Sequence, residues 1–338
     1  MRLRSNAVIW LAKRQPAFTK RILWLFTRAY IPYIRASKQQ EHWLVTHLAE
    51  LLGYRIPAIA TLANGMKLTV AWNDFVGRAI YEAGCYEQDT VALLQTLLKP
   101  GMVFLDVGAH VGQYTLTASR LVGPTGQVHS FEPDPNTFRW LSINVRRNKL
   151  ANVRLNQVAL FAEPGKRSLY LATPRDIGSN SLSQPANYAG TVCDVPCFTL
   201  DEYVALRRVR CVDVMKIDIE GAEYSMLQGA GGLLSRENKP LLIIEFEEAR
   251  QKAFGSSCAK LAHLLRSYGY TLFRIADHPL QEYVEHPDDP PSLNILAVPQ
   301  TKGLLLQAVS EARRMIVGHK RRSNMIPRAH DDVKEATK

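Results

Sequence analysis

Apolar segments of strand length and of helix length alternate along the chain from residue 102 onward, and this alternation constrains the fold more than any other feature. We expect strands at 102–107, 126–132, 152–160, 211–218, 240–248, 271–276 and 293–299, and helices at 114–122, 136–150, 222–235 and 258–270. Several of the strands are uninterrupted apolar runs, which is typical of parallel strands buried on both faces. The sequence therefore predicts an α/β fold in which helices cover both faces of a mostly parallel sheet.

The segment before this alternation predicts a helical and hairpin extension. We expect a helix at about 40–52, a hairpin across 61–70 and a helix at 89–98. Asn64-Gly65 is a strong hairpin signal, and Lys99-Pro100-Gly101 is a helix stop signal. The less regular stretch 161–200 predicts a second hairpin around 163–166. We divide the chain into a basic helical extension (1–55), a main domain (56–300) and a basic tail (301–338).

The net charge of +11 is concentrated at the two ends of the chain. Residues 1–40 carry nine basic groups and no acid, and residues 301–338 carry nine basic and four acidic groups, a net charge of +5. The middle, 41–300, holds 24 basic and 27 acidic groups, a net charge of −3. A groove that binds nucleic acid needs cations on the body of the fold, so this division argues against a nucleic-acid partner.

The apolar segment 22–34 is too short to span a bilayer and contains Arg28. Its apolar positions fit one face of a helix, with basic residues near the polar edge. Two interpretations stay open: an interfacial helix on an anionic membrane, or a helix or tail without membrane contact. The five cysteines are scattered, which favours reduced thiols over a disulfide framework.

Polar residues follow the expected strands at the edge of the sheet where ligands bind in such folds. The first strand leads into Asp106-Val-Gly108 and on to Gly112, and Glu132 follows the second strand, 24 residues beyond Gly108. The turn lacks the third glycine of the dinucleotide fingerprint, while Glu132 is well placed to accept hydrogen bonds from two ribose hydroxyls. This unit predicts an adenosine ligand without pyrophosphate, and S-adenosylmethionine fits.

Three carboxylates, Asp218, Glu220 and Glu223, follow the fourth strand in MKIDIEGAEYSMLQGA, and Glu245 lies near the end of the next strand. Asp218 and Glu245 are expected to converge over one cleft, where one of them, preferably Asp218, positions or deprotonates an acceptor hydroxyl. An alternative has these two binding a divalent cation, which we favour less. Glu223 fits the positive end of the following helix, and Glu220 stays between the two roles. Lys216 is expected to pair with Asp218.

Six segments together resemble the FkbM-type S-adenosylmethionine-dependent methyltransferases, in the family's order across roughly residues 60–300: FLDVGAHVGQYTLTAS, VHSFEPDPNTFRWLSINVRRN, GSNSLS, TLDEYV, MKIDIEGAEYSMLQGA and LLIIEFE. The resemblance implies a class I methyltransferase (Rossmann-like) fold for 56–300. It also implies methyl transfer to a hydroxyl of a sugar, glycan or secondary-metabolite acceptor. It points to Asp106, Gly108, Gly112 and Glu132 at the cofactor, with Tyr86 and Glu87 as further contacts, and it places Asp218, Glu220 and Glu223 in the family's acidic signature after the fourth strand. Together with the strand-end argument, this makes Asp218, Glu245 and Glu220 the candidate catalytic residues.

Two other functions stay open: a nucleic-acid methyltransferase, and a non-catalytic S-adenosylmethionine-binding module. Methylation of an exocyclic amine of a base usually requires an Asn/Asp-Pro-Pro-aromatic segment after the fourth strand, where this chain has Asp218-Ile-Glu-Gly. Methylation of cytosine C5 requires a cysteine nucleophile, often in Pro-Cys, and here Pro196-Cys197 lies before the fourth strand rather than after it. We expect a small-molecule or glycan hydroxyl acceptor, no nucleic-acid partner and no bound metal. The expected location is cytoplasmic, with residues 1–40 as a candidate contact with the inner face of a membrane.

Overall fold

The computed structural model describes Arg21 and residues 55–172, 177–185, 188, 190–276, 279–286 and 289–302. Its strands are β1 Pro57–Thr61, β2 Lys67–Ala71, β3 Val103–Val107, β4 Gln127–Phe131, β5 Val153–Asn156, β6 Ala159–Leu160, β7 Gly165–Tyr170, β8 Val192–Phe198, β9 Val214–Ile217, β10 Leu241–Glu247, β11 Tyr270–Arg274, β12 Gln281–Glu282 and β13 Ser292–Pro299. Its α-helices are α1 Phe75–Ala83, α2 Gln88–Leu97, α3 Gln113–Val122, α4 Pro135–Arg147, α5 Leu200–Leu206, α6 Glu223–Gln228, α7 Gly231–Leu234, α8 Glu248–Ala253 and α9 Cys258–Ser267.

Eight strands form the central sheet in the order β12-β11-β13-β10-β9-β3-β4-β5. The five strands from β10 to β5 run parallel, and β13 lies antiparallel between β10 and β11. The chain leaves β3 toward β4 on one side and later returns to β9 on the other. This reversal marks the point where open α/β sheets bind ligands.

Helices cover both faces of this sheet, as the apolar strands predict. On one face Leu105 and Met215 pack with residues of α5, α6 and α9, and on the other Phe104 packs with residues of α2 and α3. All five residues of β3 are buried. Burying a side chain such as Leu105 contributes about 1.5–3 kcal/mol, so the central strands hold the edge that carries the polar loops firmly in place. The predicted α/β fold, with helices on both faces of a mostly parallel sheet, is confirmed.

The hairpin expected across 61–70 is also confirmed, since β1 and β2 pair antiparallel with Thr61 opposite Lys67. The turn contains Gly65 at φ +84. The helix expected at 40–52, the extension 1–54 apart from Arg21, and the tail beyond 302 lie outside the described residues. No helix within the described residues is long and apolar enough to cross a membrane.

The single strand expected at 152–160 is wrong, because the structure divides it into β5 and β6. In β5 the last paired residue, Asn156, stands opposite Phe131, and β4 ends there before Glu132 and Pro133. With no neighbour to continue the ladder, the chain crosses to a second sheet of order β6-β8-β7.

Two further expectations need correction. The segment around 163–166 is not a hairpin, because β6 and β7 both pair with β8 and not with each other. The helix expected at 222–235 is broken into α6 and α7 at Gly229, where an added Cβ would lie 2.4 Å from the Phe161 carbonyl oxygen. The second helix restarts where the Asp201 carboxylate accepts from the amides of Gly232 and Leu233.

Candidate active site

A cavity of about 290 Å³ opens at the carboxyl ends of the parallel strands. Residues at or just after β3, β4, β9 and β10 line it, together with α1 and the segment 178–182. Seven of the nine predicted site residues line the cavity: Tyr86, Glu87, Gly108, Glu132, Asp218, Glu220 and Glu245. Gly112 and Asp106 are not part of its lining.

The loop from Gly108 to Gly112 packs directly against the end of β9. Gly108 has φ +84, and a Cβ there would lie 1.8 Å from the carbonyl oxygen of Asp218. Gly112 has φ +101 and precedes α3, where a Cβ would lie 2.6 Å from the side chain of Leu141. Both positions need glycine for backbone conformation and for close approach.

We expect Gly108→Ala to lower the free energy of unfolding by about 3 kcal/mol or more, because it adds a backbone clash to the strain of positive φ. Gly65 is a matched control, since it has the same φ of +84 and no atom lies within 4 Å of the position that a Cβ would take there. Gly65→Ala should cost about 1 kcal/mol. Urea unfolding of both variants measures the difference, and equal losses would contradict the close-approach argument.

Glu132 is buried at the cavity wall and held by two backbone amides. Its Oε2 accepts from the amide of His110 and its Oε1 from the amide of Asp134, both at 2.9 Å. Burial, with a smaller effect from the Asp134 charge, raises the pKa of Glu132 to about 8. Each carboxylate oxygen keeps acceptor capacity toward the cavity, which is what a pair of ribose hydroxyls requires.

Asp106 lies beneath the glycine loop. It is fully buried, and its Oδ2 accepts from the Thr115 hydroxyl at 2.5 Å. Burial raises the pKa of Asp106, although the nearby Lys216 ammonium opposes the shift. This position suits support of the loop from below, and contact of Asp106 with a cofactor stays a prediction.

The Tyr86-Glu87 pair is held by α3 and β13. The amide and carbonyl of Tyr86 bond with the side chain of Gln113, at 2.6 and 2.9 Å. Glu87 accepts from the Tyr114 hydroxyl at 2.5 Å and from Asn294 at 2.7 Å. The ring of Tyr86 meets Phe75 edge-on, and Phe75 is 68% exposed beside the cavity. Because the Glu87 carboxylate already accepts two hydrogen bonds, the pair presents the ring of Tyr86 to a ligand rather than a free carboxylate.

Lys216 and Asp218 form an ion pair at the end of β9. The Lys216 ammonium donates to Asp218 Oδ2 at 2.7 Å, and the lysine is 2% exposed. Burial alone would raise the pKa of Asp218, but the Lys216 charge and hydrogen bond lower it below its ordinary value. Asp218 is therefore ionised at neutral pH, with a side chain that is 25% exposed toward the cavity.

Glu245 and Glu220 have the opposite electrostatic character. Burial, followed by the Asp218 charge, raises the pKa of Glu245 to about 10 and that of Glu220 to about 9. Glu245 also accepts from the Ser292 hydroxyl at 2.8 Å. At neutral pH the site thus holds an ionised Asp218 next to Glu245, whose carboxyl group retains its proton, an arrangement that separates acid from base. Glu220 differs from Glu245 because its carboxyl group also contacts the Arg250 guanidinium, which opposes the rise of its pKa.

Glu223 hydrogen-bonds the turn before α6, in addition to lying at the positive end of that helix. It is 1% exposed and accepts from the amides of Ile219 and Gly221 and from the Gln251 side chain. Burial raises its pKa to about 7. Glu223 therefore fixes the turn that carries Asp218 and Glu220, which explains why one of the three carboxylates faces away from the cavity.

Glu220, Glu245 and Glu247 form the acidic group best placed for a cation, with one oxygen of each within 4.8 Å of the others. Arg250 already contacts two of them, with Nη1 2.5 Å from Glu220 and Nε 2.9 Å from Glu247. Its Nη2 also donates to the Ser179 hydroxyl at 2.9 Å. The guanidinium thus supplies positive charge within this acidic group. The sequence alternative placed a cation on Asp218 and Glu245, and of these two only Glu245 belongs to the group.

Four cavity residues had weaker signals in the sequence. Lys216 looks like a simple ion-pair partner, yet it lines the cavity. His110 lies in the glycine loop with φ +50, and its buried Nε2 has no hydrogen-bond partner within the described structure. Arg250 comes three residues after Glu247, a spacing that suits an ion pair at a helix start. Asn180, from the GSNSLS segment, lines the cavity and donates to Asp134 at 3.2 Å.

Comparison with known proteins yields one family match. Residues 106–272 match the methyltransferase FkbM domain. A search of curated proteins gave no significant match.

Several solved structures are similar. The methyltransferase FkbM from Methylobacillus flagellatus KT is 15% identical, with a TM-score of 0.40 over 81% of this chain and 60% of that one. The precorrin-6y C5,15-methyltransferase from Geobacter metallireducens GS-15 is 15% identical, with a TM-score of 0.36 over 64% and 89%. An rRNA methylase from Streptococcus thermophilus is 15% identical, with a TM-score of 0.35 over 62% and 95%.

Proposed function

We propose that this chain, whose residues 106–272 match the methyltransferase FkbM domain, is an S-adenosylmethionine-dependent methyltransferase of that family and methylates a hydroxyl of a sugar, glycan or secondary-metabolite acceptor. One observation carries the proposal. The cavity holds an ionised Asp218 that is paired with the buried Lys216 ammonium and lies within hydrogen-bond reach of the protonated Glu245 carboxyl group. This arrangement suits a neutral acceptor that must lose a proton.

The residues around the glycine loop fit the methyl donor. A Cβ at Gly108 would fill the space against β9, Glu132 turns acceptor capacity toward the cavity, and His110 leaves a buried nitrogen unpaired. We propose that Glu132 holds the ribose, that the backbone of the glycine loop lies against the amino-acid part, and that Tyr86 contacts the same ligand. When bound, S-adenosylmethionine supplies an electrophilic methyl group.

Asp218 is proposed to orient the acceptor hydroxyl and to receive its proton as the oxygen loses electron density. A hydroxyl group is a weak acid until its oxygen begins to bond to the methyl group, and its proton then becomes strongly acidic. A base of lowered pKa such as Asp218 can therefore receive the proton late in the transfer. Glu245 is proposed to stabilise Asp218 by a hydrogen bond from its retained proton. Glu220 is held by Arg250 and shapes the acceptor end of the cavity.

The lack of unpaired cations in the cavity lining disfavours a nucleic-acid acceptor. Its lining contains six carboxyl groups, those of Glu87, Glu132, Asp218, Glu220, Glu245 and Glu247. Lys216 and Arg250 are the lysine and arginine within the described lining, and each is already paired with an acid. A polyphosphate chain needs unpaired cations along its path. Cys197 is buried in the small sheet and does not line the cavity, so it is not placed as a nucleophile.

Transfer of a labelled methyl group to a panel of sugars and glycosides tests the proposal. We expect a methyl ether in the product, identified by mass spectrometry and NMR, and no transfer to a deoxy analogue that lacks the target hydroxyl. We expect EDTA to leave turnover unchanged, because Arg250 supplies the positive charge among the carboxylates. A methylated amine or nucleic acid would overturn the hydroxyl assignment. Loss of activity in EDTA that Mg²⁺ restores would overturn the metal-free mechanism.

A further inference from the structure

The end of the domain opposite the cavity is formed by five loops, which we call the base: 98–102, 123–126, 148–152, 207–213 and 235–240. Each loop precedes one of the parallel strands β3, β4, β5, β9 and β10. Backbone hydrogen bonds tie them together, from Gln127 to Met102 and from Leu241 to Asp213. The base is therefore one continuous surface.

The base is strongly cationic. Its loops contain seven lysines and arginines against two acids, Asp213 and Glu237. The Asp213 carboxylate is occupied by the amide of Val103 at 2.8 Å. Two exposed cations from neighbouring elements, Arg120 and Arg154, line the same shallow depression as Lys149.

The loops at the cavity end carry no such cations. The loops 108–112, 132–134 and 218–222 contain no lysine or arginine and four carboxyl groups, those of Glu132, Asp134, Asp218 and Glu220. The net charge of −3 over residues 41–300 therefore averages a cationic base with an acidic cavity end. The expectation that the body of the fold carries no excess positive charge is wrong at this one end, because the strand directions gather the cations there.

Helix dipoles account for only part of this charge. Arg120 lies in the last turn of α3, and Arg146 and Arg147 lie in the last turn of α4, where cations complement the negative helix end. Arg208 and Arg210 come after α5 has ended, and both are exposed. No ion pair within the described residues involves either of them, so their charge is available to a partner.

The base also carries an exposed apolar side chain and no aromatic one. Leu206, the last residue of α5, is 68% exposed beside Arg207 and Arg208. The five loops contain no Phe, Trp or Tyr, the residues on which unpaired nucleic-acid bases stack. Exposed leucine next to arginine fits a lipid interface, where the apolar group enters the acyl boundary and the cations meet headgroups.

We propose that the base docks the domain on an anionic lipid bilayer, with Leu206 entering the interface. This orientation leaves the cavity, at the other end of the sheet, open to the aqueous side. The last described residue, Lys302, donates to the Lys239 carbonyl of the base at 3.0 Å. Residues 303–338 carry eight basic and four acidic groups, which adds to the attraction.

Flotation with lipid vesicles tests the proposal on the full chain. The probes are phosphatidylcholine vesicles with and without about one-third phosphatidylglycerol, since anionic headgroups provide the attraction. The base variant is Lys99→Gln/Arg208→Gln/Arg210→Gln, which removes three exposed cations of the base loops and breaks no side-chain hydrogen bond or ion pair of the described structure. The matched control, Lys166→Gln/Lys252→Gln/Lys260→Gln, removes three exposed lysines from outside the base.

We expect the wild type to bind anionic vesicles and not neutral ones, and the base variant to bind at least about tenfold more weakly. The control variant should bind as the wild type does. Leu206→Ser should weaken binding without any change in charge. Equal binding by the base and control variants would overturn the proposal. So would a base variant that binds vesicles normally but loses affinity for a mixed-sequence RNA, which would assign the surface to nucleic acid.

Discussion

Glu132→Gln should weaken S-adenosylmethionine binding by about a hundredfold, the equivalent of one or two lost hydrogen bonds to a charged group. The carboxylate accepts two backbone amides and keeps further acceptor capacity toward the cavity. An amide offers one acceptor oxygen, so glutamine turns its NH₂ group toward either a backbone donor or the ribose. Isothermal titration calorimetry measures the change.

The same residue predicts a pH dependence of binding. Its pKa is raised to about 8 by burial, so the carboxyl group is largely protonated below that pH. A cationic ligand with two hydroxyl donors favours the ionised form, and affinity should therefore rise as the pH increases through about 8. Glu132→Gln should remove this rise, whereas Glu237→Gln, an exposed position on the base, should preserve it. Wild-type affinity in Glu132→Gln would contradict the ribose assignment.

The positions of the candidate site residues could be predicted because the βα repeat leaves little freedom. Once the apolar runs define parallel strands, the residues that follow them must gather at one edge of the sheet. Glu132 and Asp218 line the cavity for this reason. Gly108 could be predicted as well, since the turn after the first strand needs positive φ.

The protonation states could not be predicted in the same way. Asp218 and Glu245 are both carboxyl groups at strand ends, yet the pKa of one is lowered and that of the other is raised to about 10. The difference comes from burial and from the position of Lys216, both of which depend on packing between strands. The role of Glu223 was hidden likewise, because its backbone partners precede it in the chain.

The charge of the base was hidden by the order of the chain. In a βα repeat, loops at the two ends of the sheet alternate along the chain. The net charge of any segment longer than one repeat therefore averages the charges of both ends. Arg208 and Arg210 are followed within ten residues by Asp218, at the other end of strand β9. Only the strand directions separate the two sets of charges in space.

Asp218→Asn should lower kcat by roughly a hundredfold to ten-thousandfold, the range for loss of a general base, and leave S-adenosylmethionine affinity nearly unchanged. Asparagine keeps the size of the side chain but cannot receive the acceptor proton. The Lys216 ammonium also loses its charge partner, so the fold should be checked by thermal unfolding of the variant. Single-turnover methyl transfer, measured at saturating acceptor, separates the chemical step from binding.

Lys216→Met provides the sharper test, because it changes the pKa of Asp218 without touching its carboxyl group. The pKa of Asp218 lies below its ordinary value while the ammonium is present, so kcat should stay level as the pH falls from neutral toward the ordinary range of an aspartate. Without the ammonium, burial dominates and raises that pKa, and the acidic limb of the kcat profile should move to higher pH. If Asp218→Asn retained full turnover, or if Lys216→Met left the acidic limb in place, Asp218 would not be the base, and the acceptor proton would leave by another route.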